Sequence, residues 1–139
     1  MASFRERVRQ LFVLVWAGVH RWRHGVLFDF YARDRAAQLL TQSLSAIQLD
    51  QLNRHGYFEV IGGDTGGKYR IRLGLQMNVE RLDKYGKVVC LMCFLPQGRL
   101  PLADIMLAQK CALELFEQEA VAVANRWTTR DDRYARRYS

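Results

Sequence analysis

A chain of 139 residues, half of them apolar and a quarter charged, is long enough for one modest core with extensions and too apolar to be disordered throughout. Its net charge of +7 is uneven: residues 1–37 hold seven arginines against three acids, residues 38–125 balance nine against nine, and residues 126–139 hold five arginines against two acids. Three cysteines, Cys90, Cys93 and Cys111, are an odd number without loop spacing, which argues against a secreted disulfide framework and for a reducing compartment.

Residues 1–44 read as an N-terminal amphipathic helical extension. Phe4, Val8, Leu11, Val15, Val19 and Trp22 recur every three or four positions, one face of a helix, and Phe12 and Trp16 widen that face. So apolar a helix needs cover: the protein's own body, a second copy, a larger assembly or a membrane surface. Arg5, Arg7 and Arg9 before the apolar run Leu11–Val19 resemble the start of a signal peptide, but His20-Arg21-Trp22-Arg23-His24 follows where a cleavage site would stand. The run is also well short of the roughly 20 apolar residues of a membrane span. The expected location is the cytoplasm or the inside of a phage particle. After Gly25, Val26–Leu44 resumes helical spacing, with Leu27, Phe30, Tyr31, Ala37, Leu40 and Leu44 as the expected buried set.

Residues 45–125 predict a compact α+β domain: a four-stranded antiparallel meander with one long helix packed on a sheet face. Ser45 and Gln48 have capping-box spacing, the helix they open carries Ile47, Leu49 and Leu52, and His55-Gly56 supplies a left-handed stop. Tyr57–Ile61 and Lys68–Leu73 read as strands around a glycine-rich turn, and Leu75, Met77 and Val79 alternate with polar residues as a third. Asp83–Gly86 is a turn. Val88–Leu95 is apolar throughout; as the edge of a four-stranded meander it would need cover from the N-terminal helices or a strand from another chain. From Leu102 to about Asn125 the pattern is helical. Ile105, Gln109, Ala112, Phe116, Ala120 and Val123 fall on one line, and Lys110, Glu114 and Glu117 on the solvated side. Residues 126–139 read as a basic C-terminal arm that orders on a partner.

Chemical motifs are sparse. Gly62-Gly63-Asp64-Thr65-Gly66-Gly67-Lys68 fits seven positions of a phosphate-binding loop, but the eighth is Tyr69 instead of Ser or Thr, and a strand follows where a helix should open. A hairpin turn using positive φ at glycine explains the run. Cys90 and Cys93 have C-x-x-C spacing, but on a strand they point to opposite faces and read as buried small hydrophobes. His20 and His24 lie one helical turn apart without a metalloprotease context, and His55 stands alone. Arg70 and Arg72 share one strand face, where Glu59 and Glu80 on neighbouring strands are the expected ion-pair partners. No catalytic, cofactor-binding or metal site is expected, and no small-molecule substrate.

The stretch 45–125 resembles a small domain of uncharacterised bacterial and phage proteins. The residues carrying the likeness are Tyr69-Arg70-Ile71, Asn78-Val79, Cys93 with Pro96, and Asp104 followed by Leu107-Ala108-Gln109-Lys110 and Leu113-Glu114. The resemblance implies a bacterial or phage source and a recurring fold, with no activity attached.

The expected function is therefore non-catalytic. An accessory or structural subunit would dock through Phe4, Val8, Leu11, Phe12, Val15, Trp16, Val19 and Trp22 into a phage particle, a ribonucleoprotein or a membrane-associated complex. Its partner would be a protein or a second copy of the chain, with peripheral membrane contact as a variant. Arg5, Arg7, Arg9, Arg21 and Arg23 at one end, and Arg130, Arg133, Arg136 and Arg137 at the other, are the candidate polyanion-binding residues. The alternative is a nucleic-acid-binding protein that uses those basic termini.

Overall fold

The computed structural model describes residues 33–128. By contacts the chain divides into two units, Met1–Arg35 and Ala36–Ser139. Of the first, residues 33–35 are described and are helical. The amphipathic face of residues 4–22, the arginines among them, and the arm from residue 129 onward lie outside the described residues.

The remaining elements belong to the second unit, an α+β arrangement of helices and one antiparallel sheet. A helix, α1, covers residues 33–43 among those described. It is followed by α2 (Ala46–His55), β1 (Tyr57–Ile61), β2 (Lys68–Arg72), β3 (Val79–Leu82), β4 (Val88–Cys93), α3 (Leu102–Leu115), α4 (Glu117–Val123) and β5 (Asn125–Thr128). The sheet is a meander in the order β1-β2-β3-β4-β5.

The α2 boundaries follow the sequence signals. The Ser45 hydroxyl accepts from the Gln48 N–H at 3.2 Å while the Gln48 side chain accepts from the Ser45 N–H at 3.0 Å, satisfying two of the donors that every helix start leaves open. Gly56, at φ 69°, closes the helix in the left-handed region. Ile47 is exposed, and of the three apolar residues of α2 only Leu52 packs against the core, partly buried. The polar face of α2 has a second use. Gln51 Oε1 accepts the N–H of Glu59 at 2.9 Å, and Gln48 Nε2 donates to the carbonyl of Glu59 at 2.8 Å. Glu59 is the central residue of the edge strand β1, so two glutamine amides take up the pair of backbone groups that an incoming strand would use.

Four strands become five. β5 pairs with β4 through Cys90 with Thr128, Leu91 with Trp127, Met92 with Arg126 and Cys93 with Asn125. The cover that an apolar edge strand demands comes from the same chain, from Asn125 at the end of the expected helix and residues 126–128 of the expected basic arm, which have no apolar alternation. β4 is not apolar because both its faces are deep: Met92 is buried, while Val89 is 39% exposed. The third strand is also displaced from its expected position. Residues 73–77 form the β2–β3 connection, with Met77 at φ 50° and Leu75 exposed, and β3 begins only at Val79. Three alternating apolar residues are too short a pattern to separate a strand from a loop.

The core lies between the inner sheet face and α3. Phe58, Val60, Tyr69, Ile71, Val79 and Met92 meet Met106, Leu113, Ala120 and Leu40 there, each fully buried large side chain contributing about 1.5–3 kcal/mol. In α1 the buried pair is Ala36 and Leu40, not Ala37 and Leu40; the face keeps its helical spacing but is rotated by one residue. The helix expected to run from Leu102 to Asn125 breaks at Phe116, whose φ of −141° leaves the helical region. Neither glycine nor proline marks the break.

A buried amide pair fixes where α3 sits. Asn78 Nδ2 donates to Gln109 Oε1 at 2.7 Å, and Gln109 Nε2 donates back to Asn78 Oδ1 at 2.9 Å. The remaining donors reach the carbonyls of Arg72 at 3.3 Å and Phe94 at 3.0 Å. Both residues are buried, and all four amide hydrogens have partners, so the pair pins one helix position to the start of β3 and the end of β4. Gln109→Leu leaves the Asn78 amide and the Phe94 carbonyl buried without these partners. We expect a loss of about 2–4 kcal/mol in urea unfolding, with the Asn78→Ala/Gln109→Leu double variant losing less than the sum. A loss under about 1 kcal/mol would show that the pair is dispensable.

Candidate functional site: the glycine-rich loop and the Glu117 carboxylate

Residues 62–67, between β1 and β2, gather around one buried carboxylate. The backbone N–H groups of Asp64 and Thr65 donate to Glu117 Oε2 at 3.0 and 2.7 Å, and the Thr65 and Tyr69 hydroxyls donate to Oε1 at 2.5 and 2.7 Å. Glu117 is 1% exposed. It therefore belongs inside, not on the solvated side of the helix where its spacing from Lys110 and Glu114 placed it. Those two do form the expected surface pair, Nζ to Oε2 at 2.7 Å.

The same loop also finishes both helices. The Gly63 N–H donates to the Leu113 carbonyl at 3.0 Å, one of the groups left open at the end of α3. Asp64 Oδ2 accepts the N–H of Gln118 at 2.9 Å, capping the first turn of α4 from across the molecule. The helix break at Phe116 is what turns Glu117 into the loop.

Most of the glycines are required for space. A Cβ on Gly62 would overlap the Glu117 carboxylate, and one on Gly63 would overlap the Glu114 carbonyl. Only Gly66, at φ 71°, uses the left-handed region. The positive-φ turn expected of the whole run is thus confined to one position; elsewhere the absent side chain lets backbone approach backbone and carboxylate.

The electrostatics follow from the donors. Burial pushes the Glu117 carboxyl up, but the hydroxyl and N–H of Thr65, the Tyr69 hydroxyl and the Asp64 N–H outweigh it and hold it below its ordinary value. Tyr69 moves the other way, to about 12, through burial first and then through its hydrogen bond to Glu117 and the negative charge beside it. The cradle resembles a phosphate loop in one respect, N–H groups converging on an anion. Here the anion is the protein's own and the loop leads into a strand. Lys68 points away, exposed to solvent.

A second cluster lies on the opposite sheet face. Arg70 bridges Glu59 at 3.1 Å and Glu80 at 3.3 Å, and Arg72 Nε meets Glu80 at 2.5 Å, the pairing expected from the strand pattern. Both guanidiniums lie over the Tyr57 ring, at 4.3 and 5.1 Å, and His55 stacks on that ring at 5.4 Å. Two cations meet two anions, so the cluster is neutral. Arg70 Nε is buried without an acceptor, which offsets part of what the pairs contribute.

The cysteines are less buried than expected: Cys90 and Cys93 are half-buried on β4, and Cys111 is exposed on α3. Among the described residues no three metal-ligating side chains converge, and no helix is long and apolar enough to cross a membrane. The seventeen candidate docking and polyanion-binding residues all fall in segments 4–23 and 130–137, outside the described residues. The sequence reads Glu117 as solvated and gives Thr65 and Tyr69 no role together with it. The signal that was available is an acidic residue a long way from a six-residue loop containing four glycines, and nothing in the sequence joins the two. No family model, curated protein or solved structure matches this chain.

Glu117→Gln places an N–H₂ group against N–H and O–H donors, and should destabilise the fold by about 2–4 kcal/mol in urea unfolding. The pH dependence has a defined sign. The depressed carboxyl contributes stability above its unfolded value of 4.5 that is lost as pH falls through the folded value. The raised Tyr69 contributes stability below 10.0 that is lost as pH rises toward about 12. Stability of the Glu117→Gln variant should therefore fall less steeply in acid than that of the wild type; parallel acid limbs would contradict the assignment.

Proposed function

We propose that the protein is a non-catalytic accessory subunit that docks into a larger assembly through the apolar face of its N-terminal segment, with its basic termini turned to an anionic surface. The observation that carries this reading is the segregation of the sequence. Residues 38–125 are electrically neutral, whereas the apolar face Phe4–Trp22 and twelve of the 21 basic residues lie outside that stretch. The chemistry of the folded part supports it. Its most strongly perturbed groups, Glu117 and Tyr69, are committed to each other and to the loop, and its buried amides to Asn78 and Gln109. Groups held in this way position backbone and leave no side for a substrate.

The test keeps the chain at full length. Leu11→Ser, Val15→Ser and Trp16→Ala together remove the centre of the apolar face and retain every arginine. Purified under native conditions from the cell or particle of origin, the wild type should bring down a stoichiometric protein partner or a second copy, and the triple variant should lose it by at least tenfold (about 1.4 kcal/mol) with its circular dichroism unchanged. Equal recovery with both proteins would refute docking by this face.

A further inference from the structure

We infer that the β3–β4 end of the sheet is a contact surface for single-stranded nucleic acid, with Tyr85 as its stacking ring. The turn that carries Tyr85 is held from inside. Asp83 Oδ1 accepts the N–H groups of Tyr85 and Lys87 at 2.8 and 2.9 Å, Asp83 N–H donates to the Lys87 carbonyl at 2.8 Å, and Gly86 takes φ 79°. This rigid turn presents a ring that is 82% exposed, the most exposed large apolar side chain among the described residues. Lys84 Nζ lies 4.9 Å from the ring centre. The fold gains nothing from an aromatic side chain held out in this way.

Cations collect around it. The register sets Lys68 opposite Leu82, Leu82 opposite Val88, and Arg81 opposite Cys90, so Lys68 and Arg81 lie at the same end of the sheet as the turn that bears Lys84 and Lys87, on opposite faces. All four are exposed. Among the described residues none of them makes an ion pair, whereas Arg54, Arg70, Arg72 and Lys110 all do. The acids at this end are turned to other work: Asp83 holds the turn, Asp64 caps Gln118, and Glu117 is buried in the loop. Thr128 pairs with Cys90, so the chain leaves β5 at this same end.

Lysines spaced around an exposed ring match the two features of a single strand, a phosphate backbone and unpaired bases with free faces. A membrane surface would call for further apolar side chains beside the ring; within the turn Asp83, Lys84, Gly86 and Lys87 supply none, and the exposed Ile61 and Val89 belong to the strands. An acidic protein face would engage the lysines without needing the ring. The surface lies on the folded body, and the docking variant above retains all of its residues, so either reading can fail without the other.

Fluorescence anisotropy of the full chain with labelled oligothymidylate and oligouridylate of about 20 nucleotides, at about 50 and about 200 mM salt, tests the inference. The wild type should bind, and more weakly at the higher salt. Lys84→Gln/Lys87→Gln should lower the slope of log affinity against log salt by about 1.4, two phosphate contacts at about 0.7 each. Tyr85→Ala should weaken binding roughly 5- to 100-fold with the slope unchanged, and should lose little for a duplex of the same length. The Asp83 hydrogen bonds use backbone N–H groups, so these substitutions spare the turn, which unchanged circular dichroism would verify. The inference is overturned if the wild type binds neither oligonucleotide at low salt. It is equally overturned if the turn variants bind as the wild type does while Arg130, Arg133, Arg136 and Arg137 replaced by Gln abolish binding. Loss of binding to phosphatidylserine vesicles alone would assign the surface to a membrane instead.

Discussion

The fold depends on a carboxylate that has no business being buried unless everything around it is arranged to receive it. An isolated charge in an apolar interior is expensive enough that the group would normally take up a proton. Glu117 stays below its ordinary value because two N–H groups and two hydroxyls meet it. Those four donors come from the β1–β2 loop and the first core residue of β2, far away in sequence. One interaction therefore ties the beginning of the sheet to the end of the helical layer. It also explains why the helix breaks at Phe116: an unbroken helix would not carry Glu117 into the loop in this orientation.

The amide pair of Asn78 and Gln109 does for the middle of α3 what Glu117 does beyond its C-terminal end. Apolar contacts between α3 and the sheet tolerate sliding, because dispersion and water exclusion have little directionality. Hydrogen bonds between fully buried groups do not tolerate it, since a shift of one residue leaves donors and acceptors without partners. Leu113 and Met106 from α3 pack with Phe58, Tyr69, Ile71 and Met92 of the sheet in one core, and the polar ties select one register from those the apolar surfaces would accept. At the edge of the sheet, Gln48 and Gln51 apply the same logic by occupying the free side of Glu59. With its polar groups spent on internal order, the body presents few unsatisfied features outward, and the exposed cations around Tyr85 stand out for that reason.

Local signals were legible in the sequence and long-range ones were not. The capping box at Ser45, the left-handed stop at Gly56, the first two strands and the Arg70 and Arg72 ion pairs each depend on residues a few positions apart or directly across a hairpin, and each is found. The fifth strand escaped because Asn125–Thr128 has no apolar alternation; it is a strand because β4 offers it an edge. The break at Phe116 and the burial of Glu117 escaped together, since both are set by a loop some fifty positions away. The glycine-rich run shows how a pattern can be read correctly in part. The strand that follows it argues against a nucleotide loop, yet the run does converge on an anion, and three of its glycines bear on that contact or on the helix end beside it.

Amide hydrogen exchange at Thr65 tests the central claim most directly. An N–H in an exposed, glycine-rich hairpin loop ordinarily exchanges through local opening, at a free energy far below that of global unfolding. If the Glu117 carboxylate holds this loop as an integral part of the core, the Thr65 amide should exchange only with global unfolding, as slowly as Ile71 in β2. Exchange as fast as an unbonded amide elsewhere on the surface would contradict the account, because the loop would then open freely while the rest of the fold stayed intact.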